Sequence, residues 1–252
     1  MKEYDKYLKL LKEKYPTKQS VYRELINLNA IMNLPKGTEH FMSDLHGEYD
    51  AFYHIINNCS GVIREKVAML YGDELTVYEQ QELCTLIYYP REKLSILMDE
   101  NKVNDEWYRN VLNQLIQIAK LLSSKYTRSK VRKAMPVDFA YIIDELIHAQ
   151  KDEDDNRSVY HRQIMETILS LHNGDEFLVA LTDLIKRLAV DHLHILGDIY
   201  DRGAHADKIL DLLMEHHSVD IQWGNHDILW MGAFCGNPVC MALVVRNNIK
   251  YK

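Results

Sequence analysis

Tyr4, Tyr7, Leu8 and Leu11 recur at helical spacing, and Pro16 breaks the pattern. Val21, Tyr22, Leu25, Ile26 and Leu28 predict a second helix from about Gln19 to Met32, ended by Pro35 and Gly37. The texture then changes. His40-Phe41-Met42 reads as a short strand running into the polar loop Ser43-Asp44-Leu45-His46-Gly47, with a helix beginning near Tyr49. From about Gly61 to Ala189 the pattern is mostly helical. Trp107, Val111, Leu112, Leu115, Ile116, Ala119 and Leu122 form one apolar stripe, and Tyr141, Ile142, Leu146 and Ile147 begin another. Phe177, Leu178, Leu181, Ile185 and Leu188 form a third, and Lys151 to Asn156 reads as a charged, solvated loop. Two more strand-like runs follow. His192 to Leu196 leads into Gly197-Asp198-Ile199-Tyr200-Asp201-Arg202-Gly203, and Val219 to Trp223 leads into Gly224-Asn225-His226-Asp227, with a helix from Ala206 to about Glu215 between them. Strand, polar loop and helix thus repeat three times, and in open α/β sheets ligands gather at the carboxyl ends of strands.

Composition narrows the function classes. The 252 residues carry a formal charge of -7, a balance that argues against a duplex nucleic acid or an anionic membrane surface as partner. Four cysteines without CxxC spacing fit a reduced, cytoplasmic chain. The charged N-terminus lacks the apolar core of a secretory signal, and no apolar run approaches the roughly 20 residues of a membrane helix.

The chemistry lies in the three polar loops. Asp44 and His46 form a D-x-H pair, whose carboxylate oxygen and imidazole nitrogen suit Mn, Fe or Zn better than Ca. Asp198 follows an apolar strand directly, where a carboxylate can bridge two ions, and the planar fork of Arg202 matches two phosphate oxygens. Asn225 offers an amide oxygen, and His226 is placed to act as a general acid, protonating the alkoxide that a phosphate monoester expels. Each cluster taken alone also reads as an ordinary turn or local ion pair. Three of them in this order, each closing a strand, make a chance arrangement improbable.

These motifs resemble those of the calcineurin-like metallophosphoesterase superfamily. SDLHGEYDAF, a long helical insertion, HILGDIYDRG and QWGNHD are more narrowly similar to the N-terminal part of a class III fructose-1,6-bisphosphatase. The insertion separates the first two motifs by roughly 150 residues, Gly47 to Gly197, which sets this pattern apart from protein phosphatases. The resemblance implies an α/β fold with a metallophosphoesterase-like core, incomplete in this chain. Residues 1–60 would hold N-terminal helices and the first metal motif, 61–190 the helical insertion, and 191–252 the second and third motifs. It implies two manganese ions, with Asp44 and His46 on the first, Asp198 bridging and Asn225 on the second. A hydroxide held between the ions would attack phosphorus, His226 would protonate the leaving sugar oxygen, Arg202 would grip the phosphate and Asp201 would orient its neighbours. The implied reaction converts fructose 1,6-bisphosphate and water to fructose 6-phosphate and phosphate, within gluconeogenesis.

The superfamily completes its metal site with histidines downstream of the GNHD motif, whereas His226 is the last histidine here. The chain is therefore expected to be a fragment with low or no activity alone. Competing readings are another metallophosphoesterase, of the Ser/Thr protein phosphatase or dinucleoside polyphosphate hydrolase kind, and a non-catalytic metal-binding or interaction protein. The insertion's apolar stripes need burial, which makes a homo-oligomer interface one expectation. Several other residues invite attention. His192 and His194 fit same-face strand packing or exposure rather than a metal pair. His205 lies within reach of the second loop, and His216-His217 would suit a helix C-terminal dipole. Trp107 and the insertion's tyrosines fit a core or interface, and Cys235 and Cys240 fit buried thiols.

Overall fold

The computed structural model describes residues 2–149 and 155–251. Two helices, α1 (Lys2–Lys14) and α2 (Lys18–Ile31), precede strand β1 (Glu39–Met42) and helix α3 (Tyr49–Asn58). A run of helices follows: α4 (Val62–Tyr71), α5 (Val77–Tyr88), α6 (Pro90–Asp99), α7 (Asp105–Ser123), α8 (Arg128–Ala134), α9 (Ala140–His148), α10 (Asp155–Ser170) and α11 (Gly174–Ala189). Then come β2 (His192–Ile195), α12 (Ala206–Glu215), β3 (Val219–Ile221), α13 (Asn225–Phe234) and α14 (Pro238–Lys250). The fold is α/β and mostly helical.

Local chemistry sets the helix ends. Thr76 and Glu79 form a reciprocal capping box at the start of α5. The Asn104 side chain accepts the Trp107 amide at 2.8 Å at the start of α7, and Asp105 and Glu106 suit the positive end of its dipole. The apolar stripe of α7 meets the one on α11, and Leu112, Leu115, Phe177, Leu181 and Ile185 are fully or almost fully buried there. In α9 the predicted Leu146 and Ile147 are buried together with Ile143, and Ile142 packs against the same core, whereas Tyr141 points to solvent. The burial these stripes need is found inside the bundle. Many exposed apolar residues sit on α1, α2, α13 and α14, including Ile26, Phe234 and Ile249, and others such as Val77, Val137 and Met214 lie elsewhere. No single described helix is long and apolar enough to cross a membrane.

The three strands form one parallel sheet in the order β1-β2-β3, with Phe41 opposite His194 and His194 opposite Asp220. Successive strand residues point to opposite faces. Leu193 and Ile195 therefore enter a second, smaller core with Leu45, Phe52, Ile199, Ile209 and Leu213, drawn in part from α3 and α12. His192, His194 and an exposed Phe41 lie on the other face.

Three expectations need correction. Cys235 is exposed and Cys240 half-buried, because α14 and most of α13 face outward with no layer over them. His216 caps the C-terminal end of α12, yet burial, reinforced by the neighbouring His217, pushes its pKa down to about 4, so it lacks the charge a dipole would favour. Of the predicted charged loop, 151–154 lies outside the described residues, while Asp155 and Asn156 open α10.

Candidate active site

The three polar loops all leave the carboxyl ends of adjacent parallel strands, so the sheet alone brings them side by side. Backbone hydrogen bonds then lock the first two together. The His46 amide donates to the Asp198 carbonyl and the Gly47 amide to the Ile199 carbonyl, both at 2.8 Å, and the Gly203 amide returns to the His46 carbonyl. Gly47 has φ 71°, and a Cβ there would overlap the Gly203 backbone, so only glycine allows this crossing.

Asp227 ties the second loop to the third. Its buried carboxylate accepts four amides: Asp198 at 2.7 Å, Ile199 at 2.9 Å, Tyr200 at 3.2 Å and Gly224 at 2.8 Å. The last of these also caps the N-terminus of α13. Asp198 Oδ1 in turn accepts the His226 amide at 3.1 Å, placing a carboxylate at the positive end of α13. Gly224 is needed here as well, since a Cβ would overlap Asp198 Oδ1.

Several of the sequence-predicted residues meet. His46 Nε2 lies 3.5 Å from Asp44 Oδ1. Asp201, whose side chain is 4% exposed, stands 3.9 Å from His46 Nδ1, 3.3 Å from His226 Nδ1 and 3.2 Å from Arg202 Nε. The rings of His46 and His226 meet edge-on at 5.6 Å. Arg202 keeps its guanidinium exposed, and Asp44 and Asn225 are exposed at the loop tips. Asp44, His46 and Asp198 do not close into a group whose ligating atoms all lie within 4.8 Å of one another; among the described residues only His192, His194 and Asp220 do.

Backbone strain concentrates at the same loops. Asp44, His46 and Asp198 have φ between 48° and 56°, and Asp201 has φ 149°. Such values disfavour residues with a Cβ and persist where the surroundings enforce them, often at functional sites. The donor set of carboxylates, imidazole and amide oxygen fits a manganese-type ion. His226 Nδ1 is buried and makes no hydrogen bond, and Asp201 Oδ1 at 3.3 Å is its ion-pair partner.

From the sequence, Asp227 reads only as a group that orients or charge-tunes a neighbour; its structural role, which the N3 position of α13 signals, is not read there. Nor does the sequence reveal the place of Asn247, whose Nδ2 lies 3.5 Å from Asp201 Oδ1, or the stacking of Tyr200 on Trp230 at 4.7 Å. No local signal in the sequence joins these pairs.

Comparison with known proteins agrees with the loop chemistry. Residues 6–252 match the Firmicute fructose-1,6-bisphosphatase family. A class 3 fructose-1,6-bisphosphatase from Clostridium beijerinckii is 54% identical over 261 residues, covering all of this chain and 39% of that protein. Class 3 enzymes from Listeria monocytogenes and Clostridium acetobutylicum are each 54% identical over 246 residues, covering 98% of this chain and 38% and 37% of those proteins. The chain thus spans well under half the length of these relatives. No solved structure matches it. With a family match over residues 6–252 and relatives 54% identical across the chain, the chain belongs to the Firmicute fructose-1,6-bisphosphatase family.

Proposed function

We propose that this chain supplies the metal- and phosphate-binding loops for hydrolysis of fructose 1,6-bisphosphate to fructose 6-phosphate and phosphate, on a metallophosphoesterase-like core. The observation that carries this reading is the convergence of the three loops at adjacent strand ends, tied by the Asp227 carboxylate. Asp44 and His46 would hold one manganese ion and Asn225 the other, with Asp198 shared between them. When bound, the ions supply Lewis-acid stabilisation of charge on the phosphoryl group. Arg202, anchored through Nε to Asp201, presents its exposed guanidinium to the phosphate. Asp201 orients the His226 ring through Nδ1, which leaves Nε2 to carry the proton to the leaving sugar oxygen. In this reading the helical insertion is a separate layer and a surface for a homo-oligomer, and the reaction serves gluconeogenesis in the cytoplasm.

Four protein ligands shared by two ions bind weakly, so the 252-residue chain alone is expected to release little phosphate. The test pairs calorimetric titration with Mn2+ and phosphate release from fructose 1,6-bisphosphate, on this chain and on Asp198→Ala. Weak Mn2+ binding that the substitution abolishes supports the reading. Mn2+ binding indifferent to Asp198 sinks the ligand assignment. Measurable phosphate release that the substitution leaves unchanged sinks the mechanism.

A further inference from the structure

We propose a second metal site, separate from the strand-end loops, on the open face of the sheet. It would take a divalent transition metal of the zinc class, held by His192 Nε2, His194 Nδ1 and a carboxylate oxygen of Asp220. This inference does not rest on the phosphatase reading.

Strand geometry assembles the site. His192 and His194 are two apart on β2 and so share a face, and the parallel register sets Asp220 of β3 directly opposite His194. His192 Nε2 lies 3.2 Å from Asp220 Oδ2, and His194 Nδ1 lies 2.9 Å from Asp220 Oδ1. Tetrahedral zinc with bonds of about 2.0–2.1 Å separates its ligand atoms by about 3.3 Å. Both imidazole nitrogens lie close to that distance from one oxygen, Asp220 Oδ2, at 3.2 and 3.0 Å, and the three ligating atoms all lie within 4.8 Å of one another. Two imidazoles and a carboxylate leave the fourth position for water.

The neutral tautomers are compatible with a bound ion. With no ion, both imidazoles must turn an N–H toward Asp220, and His194 Nε2 becomes a bare acceptor. That atom is buried and has no hydrogen-bond partner. With an ion on Nδ1, the proton moves to Nε2, which faces Glu39 Oε2 at 3.8 Å. His192 behaves likewise. An ion on Nε2 leaves the proton on Nδ1, which donates to Ser218 Oγ at 2.6 Å. His192 thus has a hydrogen-bonded partner for its second nitrogen, the usual support of a metal-bound imidazole, while Glu39 lies at ion-pair distance from His194 Nε2. Phe41 stacks on the His194 ring at 4.3 Å and fixes its plane.

An ion here would clamp β3, only three residues long, to β2. Both strands lead into candidate active-site loops, so occupancy would stiffen the Asp198 and Asn225 loops from behind.

The test strips the chain with a chelator in an Asp44→Asn/Asp198→Asn background, which removes strand-end ligands, and titrates it with Zn2+ by calorimetry and with Co2+ by absorption. One equivalent is expected, with the visible bands of tetrahedral Co2+ and a raised Tm. His192→Ala or Asp220→Asn, each of which removes a ligand, should weaken Zn2+ binding by at least about 100-fold, the upper end of what the loss of an outer partner alone costs. Asp220→Asn in the otherwise unaltered chain guards against misfolding of the background, and there the stoichiometry should fall by one. Absence of Zn2+ binding in a folded background, or binding unmoved by Asp220→Asn and His192→Ala, overturns the proposal.

Discussion

Asp227 carries more of the local architecture than any residue proposed to touch substrate. One carboxylate satisfies four backbone amides from two loops, and a buried amide without a partner costs free energy of its own. Asp227→Ala should therefore destabilise the chain by roughly 3 kcal/mol or more, measured by denaturant unfolding. Asp227→Asn, which keeps one acceptor oxygen, should lose less. A loss below about 1 kcal/mol for the alanine variant would mean that water replaces the carboxylate. At this scale the residue types were legible in the sequence. Asp44, His46, Asp198, Asp201, Arg202, Asn225 and His226 stood out by motif. The positive φ values of Asp44, His46, Asp198 and Asp201, and the hub that Asp201 forms between two histidines and an arginine, were not legible. Both depend on which loop presses against which.

Among the elements, the long amphipathic helices were read most surely, because a 3.6-residue period sustained over several turns has few alternative explanations. The stripes of α7 and α11 fall where the periodicity placed them. Leu115 and Leu181 are fully buried between the packed helices, so Leu115→Ala should cost about 2–5 kcal/mol through lost burial and a residual cavity, read as a shift in the unfolding midpoint. A surface change such as Tyr141→Ala should be near neutral, since that side chain is 69% exposed. The strands are only three or four residues long, and alternation over so few positions marks a strand without fixing its neighbour. The pairing of His194 with Asp220, and with it the His192–His194–Asp220 group, needed the sheet register.

The whole molecule is built from two apolar cores, one inside the helical bundle and one under the sheet. His216 lies in the cleft between them, lined also by His40, Cys59, Val190 and Leu193. Its folded pKa of about 4 lies below the ordinary value of about 6.5, mainly through burial and then through His217. The unfolded chain therefore binds the proton more readily. The neutral ring's contribution is complete above pH 6.5 and is lost as pH falls toward 4. After screening by the solvent that reaches this half-buried ring, the effect is on the order of 1 kcal/mol. His216→Gln should accordingly flatten the fall in Tm between pH 6.5 and 4 by a few degrees. A variant as acid-sensitive as the parent would show that other groups set the pH dependence.

The sequence by itself determined the order of helices and strands, the three phosphatase-like motifs at strand ends and the family they indicate. Each of these is written in local periodicity, in turn residues or in the spacing of chemically distinctive side chains. Only the tertiary structure decided which groups meet. It set Asp227 under two loops, joined Asp201 to His46, His226 and Arg202, left much of the exposed apolar surface on the terminal helices, and gathered His192, His194 and Asp220 on one face. The physical reason is common to all of these. They are contacts between residues distant in the chain, fixed by sheet register and by close backbone approach at glycines, neither of which leaves a periodic trace in the sequence.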